Sequence, residues 1–269
     1  MRTSMKRWLV VVMIVGLVAA GCSSGSKSGS GSKATTNVSK VSGTITVSAA
    51  ASLTEAFTKM GADFKTANPK AGTTFNFGSS GTLETQIQQS SGAGVDTFAS
   101  ADEDNMNKLV SASLIDGTPT VFAKNKLEIV TKPGNPKGIK TLADLNQADV
   151  VSLCGLTVPC GKYAAQILQT AGVSIPETKV TRGVDVKGTL AAVTTGDADV
   201  AIVYVTDAKS VGSTVDAVTI PDAQNAIATY PIATIKGSAN AATSQAWIDY
   251  VMSSKGQATL RSFGFLPPS

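Results

Sequence analysis

The chain has 269 residues, with 23 Lys and Arg against 19 Asp and Glu for a formal charge of +4, and it contains no histidine. Without histidine, neither a Ser-His-Asp nor a Cys-His catalytic arrangement is available, whatever the serines suggest. The positive charge does not point to nucleic acid: Arg2, Lys6, Arg7, Lys27, Lys33 and Lys40 all precede residue 43, which leaves 17 basic against 19 acidic residues beyond it and no basic cluster interleaved with aromatics.

The first segment reads as a targeting device. Arg2, Lys6 and Arg7 form a basic start, Trp8 to Ala20 an apolar stretch too short to span a bilayer comfortably, and Ala19-Ala20-Gly21-Cys22 a small-residue stop. Residues 1–21 are therefore expected to be a signal peptide. Its end resembles the bacterial lipobox, which implies a lipid on Cys22 and a chain anchored to the extracytoplasmic face of the cell membrane; an ordinary signal peptide with an incidental cysteine is the alternative. Residues 22–42 are mostly Ser, Gly, Lys and Thr, cannot offset ordering entropy by burial, and read as a flexible linker. Some twenty residues of that composition reach roughly 25 Å.

Beyond the linker, short β-branched runs alternate with helix-period segments, the pattern of an α/β protein with largely parallel sheets. Strands are expected at 44–50, 73–77, 96–100, 126–131, 150–153, 200–205 and 217–220. Between them, Leu53, Ala56, Phe57, Met60 and Phe64 recur at helical spacing up to Asn68-Pro69, and Leu83 and Ile87 begin a second such face. Tyr163, Ala164, Ile167, Leu168 and Ala171 form a third, closed by Gly172; Leu190 and Val193 a fourth; Trp247, Tyr250 and Val251 a late one. Cys154 and Cys160, six positions apart in a compartment that permits disulfides, are expected to bridge a loop, with two reduced thiols as the alternative. Two sulfurs without histidine make a poor zinc site.

Four strand-to-helix junctions share one chemistry. They are Ala49-Ala50-Ala51-Ser52-Leu53-Thr54, Gly78-Ser79-Ser80-Gly81-Thr82-Leu83, Val158-Pro159-Cys160-Gly161-Lys162-Tyr163 and Val184-Asp185-Val186-Lys187-Gly188-Thr189-Leu190. Each places small or hydroxylated residues where a helix begins, and a helix start carries unpaired N–H groups and partial positive charge. Serine caps helices routinely, so one such loop means little. Several converging at the carboxyl ends of strands would form an anion pocket.

With Val95-Asp-Thr-Phe-Ala-Ser-Ala-Asp102, Ala201-Ile-Val-Tyr204 and Tyr230-Pro231, these runs resemble, in order and spacing, the bacterial periplasmic molybdate-binding proteins of ABC transporters, from about residue 43 to the end. The resemblance implies an α/β periplasmic-binding-protein fold of type II: two lobes, residues 43–123 plus 221–269 and residues 124–220, joined by two hinge crossings. It implies a molybdate or tungstate ligand held by the hydroxyls of Ser52 and Ser80, the N–H groups of Cys160 and Val186, and the phenol of Tyr204. It further implies a monomer that delivers its ion to an ABC permease, without cofactor or catalysis. The family usually has Ala where this chain has Cys160.

Rival readings are weaker. Gly155 to Tyr163 nearly mimics a phosphate-binding P-loop but has one residue too many and Tyr where Ser or Thr must meet magnesium. Asp102, Glu103 and Asp104 read as the acidic start of a helix rather than a metal or acid/base cluster. Another inorganic or small organic anion is the main alternative ligand, and a lipid-anchored enzyme on the same scaffold the more distant one.

Overall fold

The structure is a computed structural model and describes residues 41–269. The expected signal peptide, Cys22 and all but the last two residues of the expected linker lie outside the described residues. In chain order the elements are β1 (Gly43–Ala50), α1 (Thr54–Ala67), β2 (Ala71–Gly78), α2 (Ser80–Gln89), β3 (Thr97–Ala99), α3 (Glu103–Ser111), β4 (Ile115–Thr131), β5 (Val151–Cys154) and α4 (Pro159–Thr170). They continue with β6 (Val180–Gly183), α5 (Val186–Thr194), β7 (Val200–Tyr204), α6 (Val205–Val211), β8 (Asp216–Thr219), β9 (Ile227–Ile235), α7 (Ala241–Met252) and α8 (Ser254–Ser262).

The strands form one path in the order β2-β1-β3-β9-β4-β7-β5-β6, with β8 also paired to β4. Pairs β1·β2, β1·β3, β5·β6 and β5·β7 are parallel, whereas β9 runs antiparallel to β3 and β4, and β4 antiparallel to β7 and β8. The sheet is thus mixed rather than largely parallel, because β4 and β9 cross between two parallel groups. The changeover lies within β4: up to Lys126 it pairs with β9, and from Leu127 it pairs with β7.

Each parallel group is covered by the helices that follow its strands. α1 buries Ala56, Phe57, Met60, Gly61 and Phe64, one stripe at helical spacing, and ends where the Asn68 N–H bonds the Phe64 carbonyl ahead of Pro69. That stripe meets Trp247 of α7, fully buried with ring centroids 5.3 Å from Phe57 and 5.5 Å from Phe64, both edge-on. On the opposite face of the same strands, Leu83, Ile87, Phe98, Met106, Leu109 and Ile235 form a smaller core. In the second group Leu153, Ala164, Ile167, Leu190, Val193 and Ile202 are buried between β5, β7 and their helices.

Asp102 caps α3, its carboxylate accepting from the Asn105 N–H at 3.0 Å, with Glu103 and Asp104 in the first turn. The acidic run is therefore a helix start, with no group of three or more potential metal ligands among the described residues.

Candidate functional site

The carboxyl ends of β1, β2, β5, β6 and β7 all face one cavity. Its wall comprises Ala50 to Ser52, Gly78 to Ser80, Ala101, Val158 to Cys160, Asp185, Val186 and Tyr204, around a cavity of about 10 Å³. Pockets for drug-sized molecules start at roughly 300 Å³, so this one has room for no more than a small ion. The five residues Ser52, Ser80, Cys160, Val186 and Tyr204 come together there from sequence positions up to 152 apart.

Each arrives by its own local route. Ser79, not Ser80, is the cap of α2: its side chain accepts from the Thr82 N–H at 3.2 Å. Ser80 is the first residue of that helix, 1% exposed, and its Oγ accepts from the Ala101 N–H at 3.0 Å, which leaves the serine hydrogen for the cavity. Val186 opens α5 after Asp185, whose carboxylate turns along the helix to accept from the Gly188 N–H at 2.8 Å. Cys160 is second in α4 behind Pro159, which has no N–H. Helix-start N–H groups such as those of Ser80, Cys160 and Val186 have no intrahelical acceptor and add the positive end of the helix dipole.

The start of α4 is fixed twice over. Cys154 and Cys160 are joined by a disulfide with their Cα atoms 5.8 Å apart. Gly161 next to it packs so closely that a Cβ would lie 2.0 Å from the Gly155 carbonyl oxygen, so no larger residue fits without moving the loop.

Tyr204 ends β7 at 1% exposure, and its hydroxyl has no hydrogen-bond partner among the described residues. Burial raises its ionisation well above the ordinary phenol range, so the group keeps its hydrogen. A buried, unpartnered hydroxyl costs free energy, and one on a residue that lines a cavity is a donor available to a ligand there. The lining contains no Lys or Arg. The cavity therefore offers hydrogen-bond donors to an anion without a formal countercharge.

Charges stand outside that wall and span it. Lys187 of α5 reaches both carboxylate oxygens of Glu55 on α1 at 2.8 Å and lies 3.1 Å from Asp207, whose full burial pushes its carboxyl up to about 6. Lys162 of α4 bridges to Asp102 at 3.2 Å and Asp104 at 3.1 Å. Both lysines belong to the second strand group, and Glu55, Asp102 and Asp104 to the first.

Sequence reasoning left two inner residues unassigned. Tyr230 and Asn125, each 0% exposed, stand behind Ser52: the Tyr230 hydroxyl is 2.9 Å from Ser52 Oγ, and Asn125 Nδ2 is 3.4 Å from the Tyr230 hydroxyl. Asn125 falls one position before the strand expected at 126–131 and carried no signal of its own.

Residues 45–266 match the model of the family described as bacterial extracellular solute-binding protein. The chain belongs to that family. It is 37% identical over 258 residues to the molybdate-binding protein ModA of Mycobacterium tuberculosis, covering 96% of this chain and 95% of the relative. Among solved structures it is similar to the periplasmic molybdate-binding protein of Azotobacter vinelandii, with a TM-score of 0.75 at 19% identity over 84% of this chain and 100% of the other. It is also similar to the sulfate-binding protein SubI of M. tuberculosis, with a TM-score of 0.73 at 19% identity over 83% and 86%. These two likenesses define a solute-binding fold, and a fold shared by molybdate and sulfate binders does not choose the ion; the wall of the cavity must do that.

Proposed function

We propose that this solute-binding protein captures molybdate outside the cytoplasm and passes it to an ABC permease. The observation that carries the reading is the small cavity walled by hydroxyls and helix starts, free of Lys and Arg, and lined by Tyr204 with its unpartnered hydroxyl. Molybdate at neutral pH is a dianion without a proton, so it needs donors and has nothing to give an acceptor. The similarity to a molybdate-binding protein over 96% of the chain favours that ion over sulfate. Tungstate, of nearly the same size and charge, binds equally in this reading.

In the bound state Ser52, Ser80 and Tyr204 donate hydroxyl hydrogens, and Cys160 and Val186 donate backbone N–H groups. The two strand groups act as lobes, residues 43–123 with 221–269 and residues 124–220, closing about the changeover in β4 and the entry into β9. The lysine bridges from α4 and α5 hold them together. A signal peptide is removed before Cys22, which carries the lipid, and residues 22–42 tether a monomer to the membrane. These contacts bind and release an ion and require no chemical step.

Titration calorimetry on the purified chain tests the reading. Molybdate and tungstate should bind tightly, and sulfate and phosphate much more weakly. Tight sulfate binding without a molybdate response overturns it.

A further inference from the structure

Behind Ser52 lies a chain of three buried polar side chains whose hydrogen-bond direction can be worked out from one end. Asn125 sits on β4 beside the changeover, and the Lys126 backbone N–H is 3.0 Å from its Oδ1. A backbone N–H only donates, so the amide oxygen must face it, and this fixes the orientation of the side-chain amide. Nδ2 then faces the other way, 2.9 Å from Thr206 Oγ1 and 3.4 Å from the Tyr230 hydroxyl. An amide nitrogen also only donates. The Tyr230 oxygen therefore accepts from Asn125 and has its single hydrogen left for Ser52 Oγ, 2.9 Å away. In that arrangement Ser52 Oγ accepts, and its own hydrogen is left free for the cavity that it lines.

We infer that Asn125, acting through Tyr230, is a positioning residue that makes Ser52 a donor rather than an acceptor, and so biases the cavity against oxyanions that carry a proton. The inference rests on the oxyanion-binding reading above. Ser80 is committed in the same sense by the Ala101 N–H, so both serines offer hydrogen. Hydrogen phosphate at pH 8 carries the same double charge as molybdate but also a P–OH that needs an acceptor, and these serines, each with one lone pair already engaged, are poor ones. Asn125 also bonds Thr206, two residues beyond Tyr204, so one amide in the long strand contacts hydroxyls from both strand groups. Burial holds Tyr230 far above the ordinary phenol range, so its hydrogen stays in place.

The test compares molybdate and phosphate affinities at pH 8 in the parent chain, Asn125→Asp and Tyr230→Phe, each checked for folding by circular dichroism. The Asn125→Asp carboxylate accepts from Tyr230, which turns a lone pair toward Ser52 and draws the serine hydrogen away from the cavity. Its added charge repels both dianions alike, so the ratio of the two affinities isolates the change in direction. That ratio should fall about tenfold or more in Asn125→Asp, the scale of one hydrogen bond to a charged group. In Tyr230→Phe it should fall by a smaller factor, because Ser52 regains a lone pair but keeps its hydrogen. A ratio unchanged in the folded variants, with molybdate bound by the parent, overturns the inference and leaves Asn125 as a satisfied core amide. A parent that binds no molybdate overturns the functional reading instead.

Discussion

At Tyr204, stability and binding make opposite demands on one hydroxyl. Replacing a buried donor that has no partner removes a desolvation cost from the empty protein, while it removes a hydrogen bond from the loaded one. Tyr204→Phe should therefore leave the melting temperature of the empty protein unchanged or raise it, and weaken molybdate binding by about 1.5–3 kcal/mol. Ser52→Ala and Ser80→Ala should lose a similar affinity, but without the gain in stability, because both hydroxyls also make hydrogen bonds within the protein. Calorimetry paired with thermal melts of the three variants checks the contrast; a destabilised Tyr204→Phe of undiminished affinity would place that phenol in the core instead. Ser52, Ser80 and Tyr204 were named in the sequence through the family resemblance, which puts them at strand-to-helix junctions, and all three line one cavity. Asn125 and Tyr230 were not, since their partnership joins positions 105 residues apart and Tyr230 reaches Ser52 across 178.

The secondary structure follows the same division. Helices with a clear apolar stripe, such as α1 and α4, lie where their spacing puts them, to within a turn. The first half of β4, all of β6 and β9, and helices α6 and α8 were not foreseen. β4 contains Gly117 and Pro119, and its pairing with β9 shifts register between Asp116 and Thr120; β9 contains Pro231, next to a second shift between Val121 and Ala123. Proline in a central strand reads as a breaker because it removes a ladder bond, and here local irregularities accommodate it. At the start of α4, the Cys154–Cys160 bridge closes a short loop, for which chain entropy predicts about 2 kcal/mol of stabilisation. The double change Cys154→Ala with Cys160→Ala should lower stability in urea by about that amount. It should also weaken molybdate binding, since the Cys160 N–H loses one of its two anchors. Equal affinity with and without the bridge would show that the close packing at Gly161 positions the loop alone.

For the molecule as a whole, the lysine bridges outside the cavity set how firmly the two strand groups meet. The Lys187–Glu55 pair is partly exposed on both sides, so it is worth at most about 1 kcal/mol and weakens with salt, whereas Asp207 and Asp102, the other partners of the two lysines, are buried. Glu55→Ala should thus reduce molybdate affinity by less than about tenfold, with a smaller difference from the parent at 1 M salt than at 0.05 M. Titrations at the two ionic strengths measure this; a loss that does not depend on salt would mean that Glu55 acts through packing. An inner wall without Lys or Arg has a different consequence. A site that neutralised its ligand with arginines would hide the ion's charge from the outside, but hydroxyls and amides cancel none of it. The body from residue 43 onward carries 17 basic and 19 acidic residues, so taking up one dianion about doubles its net negative charge. Loaded and empty molecules of the same shape should then separate in an electric field, and the permease is presented with an electrical difference as well as a geometric one.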